Sequence, residues 1–293
     1  MTDDRLIFDR AQLRRQRRRA ASGFGGHDFL FRELAERLLD RLADIRQGFP
    51  LAADISPQPG FLAALRREID PALGGIERML AAGPVSPPPG AVGVVCEEEA
   101  LPFRPGSLDL ILSCLGLHWV NDLPGALVQI RDALRPDGLF LGVLLGGETL
   151  TELRQCLMEA ELAASGGASP RVSPMVGMRD AAGLLQRASF ALPVADSETI
   201  TVTYKDALAL MRELRGMGEG NALVARPRRP ARREVIARAS ALYAARFAEP
   251  DGRIRATFQA IFLTGWAPAA NQQQPARRGS GEVNLRDVFG STC

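Results

Sequence analysis

Apolar residues recur at two different spacings, and the two spacings alternate along the chain. Four leucines from Leu30 to Leu42 lie four residues apart, which is the period of a helix with one buried face. The run at 139–145 is instead short and continuously apolar, as in a strand that is buried on both faces. Strands that alternate with helices predict a mostly parallel sheet covered by helices on both sides, which is a doubly wound α/β fold.

The same patterns give approximate positions for the individual elements. We predict helices at 6–21, 30–42, 61–67, 123–134, 149–164, 207–214 and 233–247, and strands at 50–55, 73–80, 92–96, 108–115, 139–145, 199–204 and 256–266. Asp28 and Asp122 are the predicted N-caps of the second and fourth helices, because a short side chain with an oxygen can accept from the first turn. The segment 136–138, Pro-Asp-Gly, predicts a turn.

Charge and glycine content divide the chain into three segments. Five arginines lie between residues 14 and 19, and glycines at 23, 25 and 26 end the helix that carries them. Such a run could contact an acidic partner, anionic lipid or RNA, but alone it favours the solvated face of a helical arm. We therefore predict a basic arm at 1–26, the main domain at 27–267 and a polar, mobile tail at 268–293.

Composition excludes several classes of protein. The formal net charge of +2 does not indicate nucleic acid as the main partner. None of the four cysteines forms a CxxC pair, and His27 and His118 have no metal-ligand spacing, so neither a zinc site nor a disulfide framework is expected. No apolar run approaches the ~20 residues of a spanning helix. The first residues resemble neither a signal peptide nor a clear transit peptide, so we expect a bacterial cytoplasmic protein.

Candidate chemistry is expected at the carboxyl ends of the strands, where open α/β sheets bind ligands. Asp54 ends the first predicted strand, and it could orient the amino group of a cofactor or simply form the turn. Ser56 and Gly60 lie in the loop that follows, together with Pro57 and Pro59, which have no backbone N–H. This loop is therefore a poor cradle for phosphate.

Acidic residues come next in the chain. Glu97 and Glu98 directly follow the third predicted strand, where a carboxylate could accept from an adenine amino group or a ribose hydroxyl. Their alternative is a solvated acidic loop. Glu77 is the acidic residue nearest to the second predicted strand.

Leu115, His118 and Trp119 stand at the end of the fourth predicted strand. A histidine beside a tryptophan at a cleft could bind or polarise a substrate, whereas a lone histidine is more often a core or capping residue. No nucleophile stands beside a histidine base in the sequence.

Several short runs resemble those of one known family. They are IFDR at 7–10, EEALPF at 98–103, LHWVNDLP at 117–124, LRPDG at 134–138, GGETL at 146–150, SPM at 173–175, GMGEGN at 216–221, ATFQ at 256–259, GW at 265–266 and PARRGS at 275–280. On these runs the chain resembles the complex I assembly factor 5 family over nearly its whole length. The LHWVNDLP run is also shared with the malonyl-acyl-carrier-protein methyltransferase of biotin synthesis. The GMGE segment at 216–219 and the tail run at 275–280 are therefore what distinguish the assembly-factor family.

The resemblance implies a seven-stranded, doubly wound sheet of the class I S-adenosylmethionine-dependent methyltransferase fold, with a cleft at its carboxyl edge. It also implies a role in assembling the quinone-side arm of respiratory complex I, and hydroxylation of an arginine in an Fe–S subunit. The family's first loop reads Asp-x-Gly-x-Gly-x-Gly, and Asp54, Ser56, Gln58 and Gly60 stand at those positions here. The implied cofactor set is Asp54, Ser56, Gly60, Glu77, Glu97, Glu98 and Leu115, with His118 and Trp119 on the substrate side.

Three functions follow from these observations. The first is an enzyme that modifies a complex I Fe–S subunit or assembly intermediate and reaches the membrane only through that complex, on the matrix side in a eukaryote. The second is a non-catalytic assembly chaperone that has lost the cofactor, which the first loop favours. The third is an O-methyltransferase acting on a small molecule or an acyl carrier, which only the shared LHWVNDLP run suggests.

Overall fold

A computed structural model describes residues 6–272 and 279–280 of the chain. The helices are α1 Arg10–Ala21, α2 Phe29–Ala43, α3 Phe61–Ile69, α4 Leu123–Ala133, α5 Thr151–Ser165, α6 Met178–Arg187, α7 Ala207–Gly216 and α8 Arg233–Phe247. The strands are β1 Leu51–Asp54, β2 Arg78–Gly83, β3 Gly93–Val95, β4 Leu108–Cys114, β5 Leu134–Leu145, β6 Ala191–Tyr204 and β7 Ile254–Trp266. Short 3₁₀ turns lie at Phe24–Gly26, Leu73–Gly75 and Leu117–Trp119.

The seven strands form a single sheet in the order β3-β2-β1-β4-β5-β7-β6. Strands β1 to β5 pair in parallel, and β7 runs antiparallel to both β5 and β6. The prediction of a doubly wound, mostly parallel sheet is therefore confirmed. The order reverses between β1 and β4, and this switch point is where such sheets open a crevice at their carboxyl edge.

Both faces of the sheet are buried, which explains the continuous apolar runs. In β5, Leu139 and Leu141 pack with α2 and α5 on one face, while Phe140 and Leu144 pack with α4 and α6 on the other. The leucines of α2 are almost completely inaccessible to solvent, as the helical period predicted. The strand predicted at 139–145 is confirmed as a buried strand.

The prediction of the second strand at 73–80 is wrong. Residues Leu73–Gly75 form a 3₁₀ turn, and the strand begins only at Arg78. Gly74 and Gly75 have φ of +69° and +58°, a left-handed conformation that glycine adopts without a steric penalty. The two glycines therefore end the apolar run as a turn and delay the strand.

Two elements of the later half differ from their predictions. Strand β6 begins at Ala191, whereas the pattern predicted only its last six residues. Its first half contains a proline and an irregular register between Ala191 and Val194, so local preference is weak and pairing with β7 decides the conformation. Helix α6 was not predicted, because its apolar face consists of only three buried residues: Ala181, Leu184 and Leu185.

The predicted caps have different outcomes. Asp122 caps α4 through Oδ1, which accepts from Gly125 N at 2.8 Å, and this prediction is confirmed. Asp28 makes no side-chain bond to the first turn of α2, so that prediction is wrong. The turn predicted at 136–138 lies within β5. It causes the irregularity in the pairing of β5 with β4. Asp137 has φ of +64° there, which the predicted turn accommodates.

The arm is not simply a solvated helix, and that prediction is wrong for one of its faces. Leu13 and Arg17 of α1 are buried, with exposures of 0% and 1%. The ring of Phe8 meets that of Trp119 edge to face, with centroids 5.3 Å apart. Helix α1 therefore packs onto the carboxyl edge of the sheet, and Asp9 caps it by accepting from Gln12 N.

The remaining predictions concern the chain's end, metals and membranes. The tail predicted from residue 268 lies largely outside the described residues. In the part of the chain that the structure describes, no group of three or more metal-ligating side chains comes together. None of the helices described combines the length and the apolar character that crossing a membrane requires.

Candidate functional site

Asp54 is the last residue of β1 and lies wholly buried at the switch point. Its Oδ1 accepts from Ser56 N at 2.9 Å, and its Oδ2 has no partner among the described residues. Burial, which disfavours the charged form, raises the pKa of this carboxyl to about 6 despite these hydrogen bonds. The side chain thus shapes the turn, the second of its two predicted roles.

The first loop uses most of its own hydrogen-bonding groups internally. Ser56 Oγ accepts from Cys114 N at 2.9 Å, which ties the loop to the end of β4. The first residue of α3 donates to Gln58 O at 3.1 Å. Pro57 and Pro59 have no N–H to offer. Few backbone donors are left in the loop for a ligand.

Prolines also fill the space around this loop. Gly60 begins α3 with φ of +87°, and a Cβ at that position would lie 2.9 Å from Pro88 Cγ. A Cβ on Gly83, at the end of β2, would lie 2.9 Å from Pro59 Cγ. The proline-rich stretch at 84–90 therefore packs directly against the first loop, where the family's glycines would admit a ligand.

Glu97 and Glu98 are engaged by the arginines of α1. Glu98 Oε1 lies 3.0 Å from Arg17 Nη1, and each side chain is only 1% exposed. Arg10 contacts both glutamates, at 2.5 Å from Glu97 Oε2, and Arg14 lies 3.2 Å from Glu97 Oε1. Burial alone would raise the pKa of Glu98, but the charges of Arg17 and Arg10 outweigh it and hold that pKa below its usual value. The alternative of a solvated acidic loop is therefore wrong for Glu98.

Glu77 lies at the wrong edge of the sheet to join these residues. It precedes β2, and its N–H donates to Pro50 O just before β1 begins. The carboxyl end of β2 is Gly83, which is followed by Pro84. The assignment of Glu77 to the cofactor set is therefore corrected, because the second strand begins later than the sequence predicted.

Taken together, the residues at the switch point do not fit S-adenosylmethionine in the way that the resemblance implies. A Cβ on Gly116, just after β4, would lie 3.4 Å from Pro57 Cδ and 3.5 Å from Glu98 Oε1. Pro57 and Glu98 thus lie beside the end of β4, and Arg17 pairs with Glu98. Leu115 directly follows β4 with φ of +57°, and it is completely buried.

His118 and Trp119 converge on a residue that the sequence analysis did not select. Glu219 Oε2 accepts from Trp119 Nε1 at 2.6 Å and lies 2.9 Å from His118 Nε2. The side chain of Glu219 is 4% exposed and that of His118 is 0% exposed. The other carboxylate oxygen, Oε1, is buried and has no partner among the described residues.

The end of α7 places Glu219 at this point. Gly218 has φ of +81°, and the N–H of Glu219 donates back to Leu214 O at 2.8 Å. This is the geometry of a Schellman motif, in which a glycine just after a helix reverses the chain. The motif directs Glu219 towards the turn that carries His118 and Trp119. A charged residue set among glycines directly after a helix was the signal in the sequence.

A cavity of about 1030 Å³ lies beside this cluster, between α1, α5, α7 and the loop after α7. Its walls include Leu145, Leu150, Leu153, Leu157, Met175, Met211 and Leu214, with Trp119, Glu219, Gln16 and Asn221 as polar or aromatic groups. The exposed side chains of Arg19, Arg212 and Arg215 also line it. Trp119 is thus placed on the cavity wall, whereas the residues predicted to hold a cofactor are not among those lining it.

Comparison with known proteins assigns the family. Residues 67–142 match the model of a methyltransferase domain. The arginine-hydroxylase NDUFAF5, mitochondrial, of Danio rerio is 38% identical over 96% of this chain and 89% of the relative. The chain belongs to the NDUFAF5 family. The resemblance predicted from the sequence is thereby confirmed.

Two further similarities concern a second family of enzymes and the fold. The malonyl-[acyl-carrier protein] O-methyltransferase of Halorhodospira halophila is 31% identical over 98% of this chain and 97% of the relative. Among solved structures, the YcgJ protein of Bacillus subtilis superimposes with a TM-score of 0.53, covering 80% of this chain and all of that one. At 11% sequence identity this likeness concerns the fold alone. The methyltransferase fold predicted from the sequence is confirmed.

Proposed function

We propose that this protein acts in the assembly of respiratory complex I by modifying an arginine side chain of an Fe–S subunit. The observation that carries the proposal is 38% identity, over 96% of the chain, to a protein named as an arginine-hydroxylase. In a bacterium we place this activity in the cytoplasm, and in a eukaryote on the matrix side of the mitochondrial membrane. The protein would reach the membrane through its partner.

The cavity supports a long side chain as the substrate. Its volume of about 1030 Å³ lies in the range of sites that enclose a ligand, and its leucine and methionine walls suit the methylene groups of an arginine. Hydroxylation inserts one oxygen atom into a C–H bond. With molecular oxygen as the oxidant, the step also consumes two protons and two electrons, which an external donor of the reduced-nicotinamide class supplies, and it releases water. The residues of this chain bind and orient the arginine and exclude bulk water around it.

S-adenosylmethionine has no step in this proposal. The first loop, which would have to hold it, offers few free N–H groups, because Ser56 N is bonded to Asp54 and Pro57 and Pro59 have no N–H. We expect calorimetry to detect no binding of S-adenosylmethionine or S-adenosylhomocysteine up to millimolar concentration. Micromolar binding that Asp54→Ala removes would contradict this expectation and return the cofactor to the switch point.

Mass spectrometry of the Fe–S subunit tests the proposal directly. In a strain that lacks this gene, we expect the target arginine to lack the added oxygen atom and complex I to accumulate poorly. The wild-type gene should restore both. A matched control is Glu159→Gln, because the side chain of Glu159 is 43% exposed, pairs with Arg246 and does not line the cavity. An unchanged hydroxyl-arginine in the deletion strain would refute the proposal.

A non-catalytic assembly chaperone is the second candidate function. The first loop favours it, because Pro57 and Pro59 leave few N–H groups for a cofactor, and a protein that has lost its cofactor can retain the fold for another purpose. Leu153→Trp discriminates between the two, because Leu153 lines the cavity and an indole would occupy it. If the protein is an enzyme, Leu153→Trp should lose the arginine modification. If it is a chaperone, the variant should still assemble complex I. Thermal unfolding of the variant shows whether it remains folded.

An acyl-carrier O-methyltransferase is the third candidate function. Its support is the 31% identity to the malonyl-[acyl-carrier protein] enzyme and the exposed arginines Arg19, Arg212 and Arg215 at the cavity, which suit an acidic carrier protein. Methyl transfer needs S-adenosylmethionine, for which the first loop offers few free N–H groups, so we rank this function below the other two. Calorimetry with S-adenosylmethionine tests it as well.

A further inference from the structure

The cavity wall carries one buried carboxylate that is only half used. Glu219 is 4% exposed, and its Oε2 is held by Trp119 Nε1 and His118 Nε2 at 2.6 and 2.9 Å. Its Oε1 is buried without a hydrogen-bond partner among the described residues. Leaving a charged oxygen buried and unpaired is unfavourable, because its lost hydration is not replaced. Such an atom is therefore suited to a ligand.

The two donors on Oε2 fix the direction of the carboxylate. Trp119 Nε1 can only donate, and His118 donates through Nε2 when its proton resides there. His118 is the single side chain in ion-pair distance of Glu219 within the described residues, and no arginine lies as close. The negative charge of Glu219 is thus not neutralised by a guanidinium of this chain, in contrast to Glu98, which Arg10 and Arg17 both contact.

The rest of the cavity restricts the cation that could reach Oε1. Apolar side chains such as Leu145, Leu153 and Met175 line the same cavity as Glu219 and suit a ligand with an aliphatic stem and a charged end. Of the four arginines among the lining residues, Arg171 is paired with Glu161, whereas Arg19, Arg212 and Arg215 are exposed and therefore lie at the mouth. Positive charge at the mouth and negative charge at the buried wall suit a cationic side chain flanked by acidic groups.

We propose that Glu219 Oε1 receives the guanidinium group of the substrate arginine, with His118 and Trp119 as positioning residues that hold the carboxylate. The inference rests on the proposed function, which supplies arginine as the substrate. A guanidinium presents several N–H donors in a fixed plane, so it can use a preoriented carboxylate better than a neutral urea group of the same shape. Citrulline, the isosteric and uncharged counterpart, is therefore the discriminating probe.

The indole N–H of Trp119 gives a direct spectroscopic readout. The protein has two tryptophans, and Trp266→Phe assigns the ¹⁵N–¹H indole signal of the other. Titration with N-acetyl-arginine methylamide should move the Trp119 signal, because binding at Oε1 changes the carboxylate that accepts from this N–H. We expect the arginine probe to bind at least about tenfold more tightly than the citrulline probe, in line with a charge-assisted hydrogen bond.

Variants separate recognition from structure. Glu219→Gln should reduce the preference for arginine over citrulline to about one, while Glu159→Gln should leave the preference and the signal shift unchanged. Equal binding of the two probes to the wild-type protein would overturn the inference without any variant, so the test stands even where Glu219→Gln unfolds. Retention of the full preference in folded Glu219→Gln would overturn it as well.

Complementation distinguishes failure of this inference from failure of the proposed function. When the wild-type gene does not restore hydroxyl-arginine to the Fe–S subunit of the deletion strain, the proposed function fails. When both the wild-type gene and Glu219→Gln restore it equally, the function stands and the role of Glu219 is refuted. The inference requires that the wild-type gene restore the modification and that Glu219→Gln restore at most about a tenth of it.

Discussion

Replacing Asp54 by asparagine should make the protein more stable at neutral pH but not in acid. Asp54 is wholly buried, and its pKa is raised from 3.8 to about 6 in the folded protein, chiefly because burial disfavours the charged form. Asparagine retains an oxygen that can accept from Ser56 N, and it places an amide where Oδ2 now lies without a partner. The substitution therefore removes the charge and keeps the turn.

The magnitude follows from linkage between protonation and folding. Each whole step in pKa corresponds to about 1.4 kcal/mol, so the interval between 3.8 and about 6 gives about 3 kcal/mol. Because the folded pKa is the higher one, the folded state binds the proton more tightly. The stability that this provides is complete below pH 3.8 and is lost as the pH rises through 6. Above that pH the ionised carboxylate carries the full penalty.

Urea unfolding followed by tryptophan fluorescence measures this effect. The free energy of unfolding is determined for the wild type and Asp54→Asn at several values between pH 4 and pH 8. Subtracting one from the other cancels every titration that the two proteins share. We expect the advantage of Asp54→Asn to grow by about 2.5 kcal/mol over this range, most of it before pH 6. Asp44→Asn, at an exposed aspartate, is the matched control. Two parallel curves would refute the reasoning. So would a difference between Asp54→Asn and the wild type that shifts in favour of the wild type towards pH 8.

Two further substitutions test the packing at the switch point. Glu98→Gln should lower the free energy of unfolding by roughly 3–5 kcal/mol, because it leaves the buried Arg17 uncompensated. Glu97→Gln, on a side chain 26% exposed, should cost about 1 kcal/mol or less in the same urea titration. Gly60→Ala should lower the melting temperature clearly more than Gly90→Ala. Both glycines have positive φ, but only at Gly60 would a Cβ meet Pro88. Equal losses within either pair would contradict the packing described.

The fold was largely predictable because its strongest signals are local and repeated. The central strands are buried on both faces, so β4 and β5 appear as continuous apolar runs, and α2 appears as leucines at helical spacing. Strand β2 and the first half of β6 were misplaced or shortened because their conformation depends on glycine turns and on pairing with distant strands. Sequence patterns carry little information about such tertiary effects.

The candidate site was predicted less completely, because its key contacts join residues far apart in the chain. His118 and Trp119 were selected from their position after a strand, and both lie at the cavity or directly behind its wall. Glu219 lies 100 residues beyond Trp119, and only folding brings the two together. Apart from Glu77, the residues chosen for a cofactor lie near the carboxyl ends of strands as expected, but the sequence did not show that α1 contacts Glu97 and Glu98.

The arginine run of α1 shows why a charged segment should be divided by helical face before it is interpreted. Leu13, Arg17 and Ala20 are buried on the same side of the helix, while Arg14, Arg15, Arg18 and Arg19 are exposed. The buried face supplies the cation that Glu98 requires, so the arm and the acidic loop form one unit. A ligand that displaces Glu98 must separate it from Arg17. Breaking a buried pair costs roughly 3–5 kcal/mol, which equals about two to four orders of magnitude in affinity. Such a ligand therefore avoids this loss only when its own anionic group takes the place of Glu98 against Arg17.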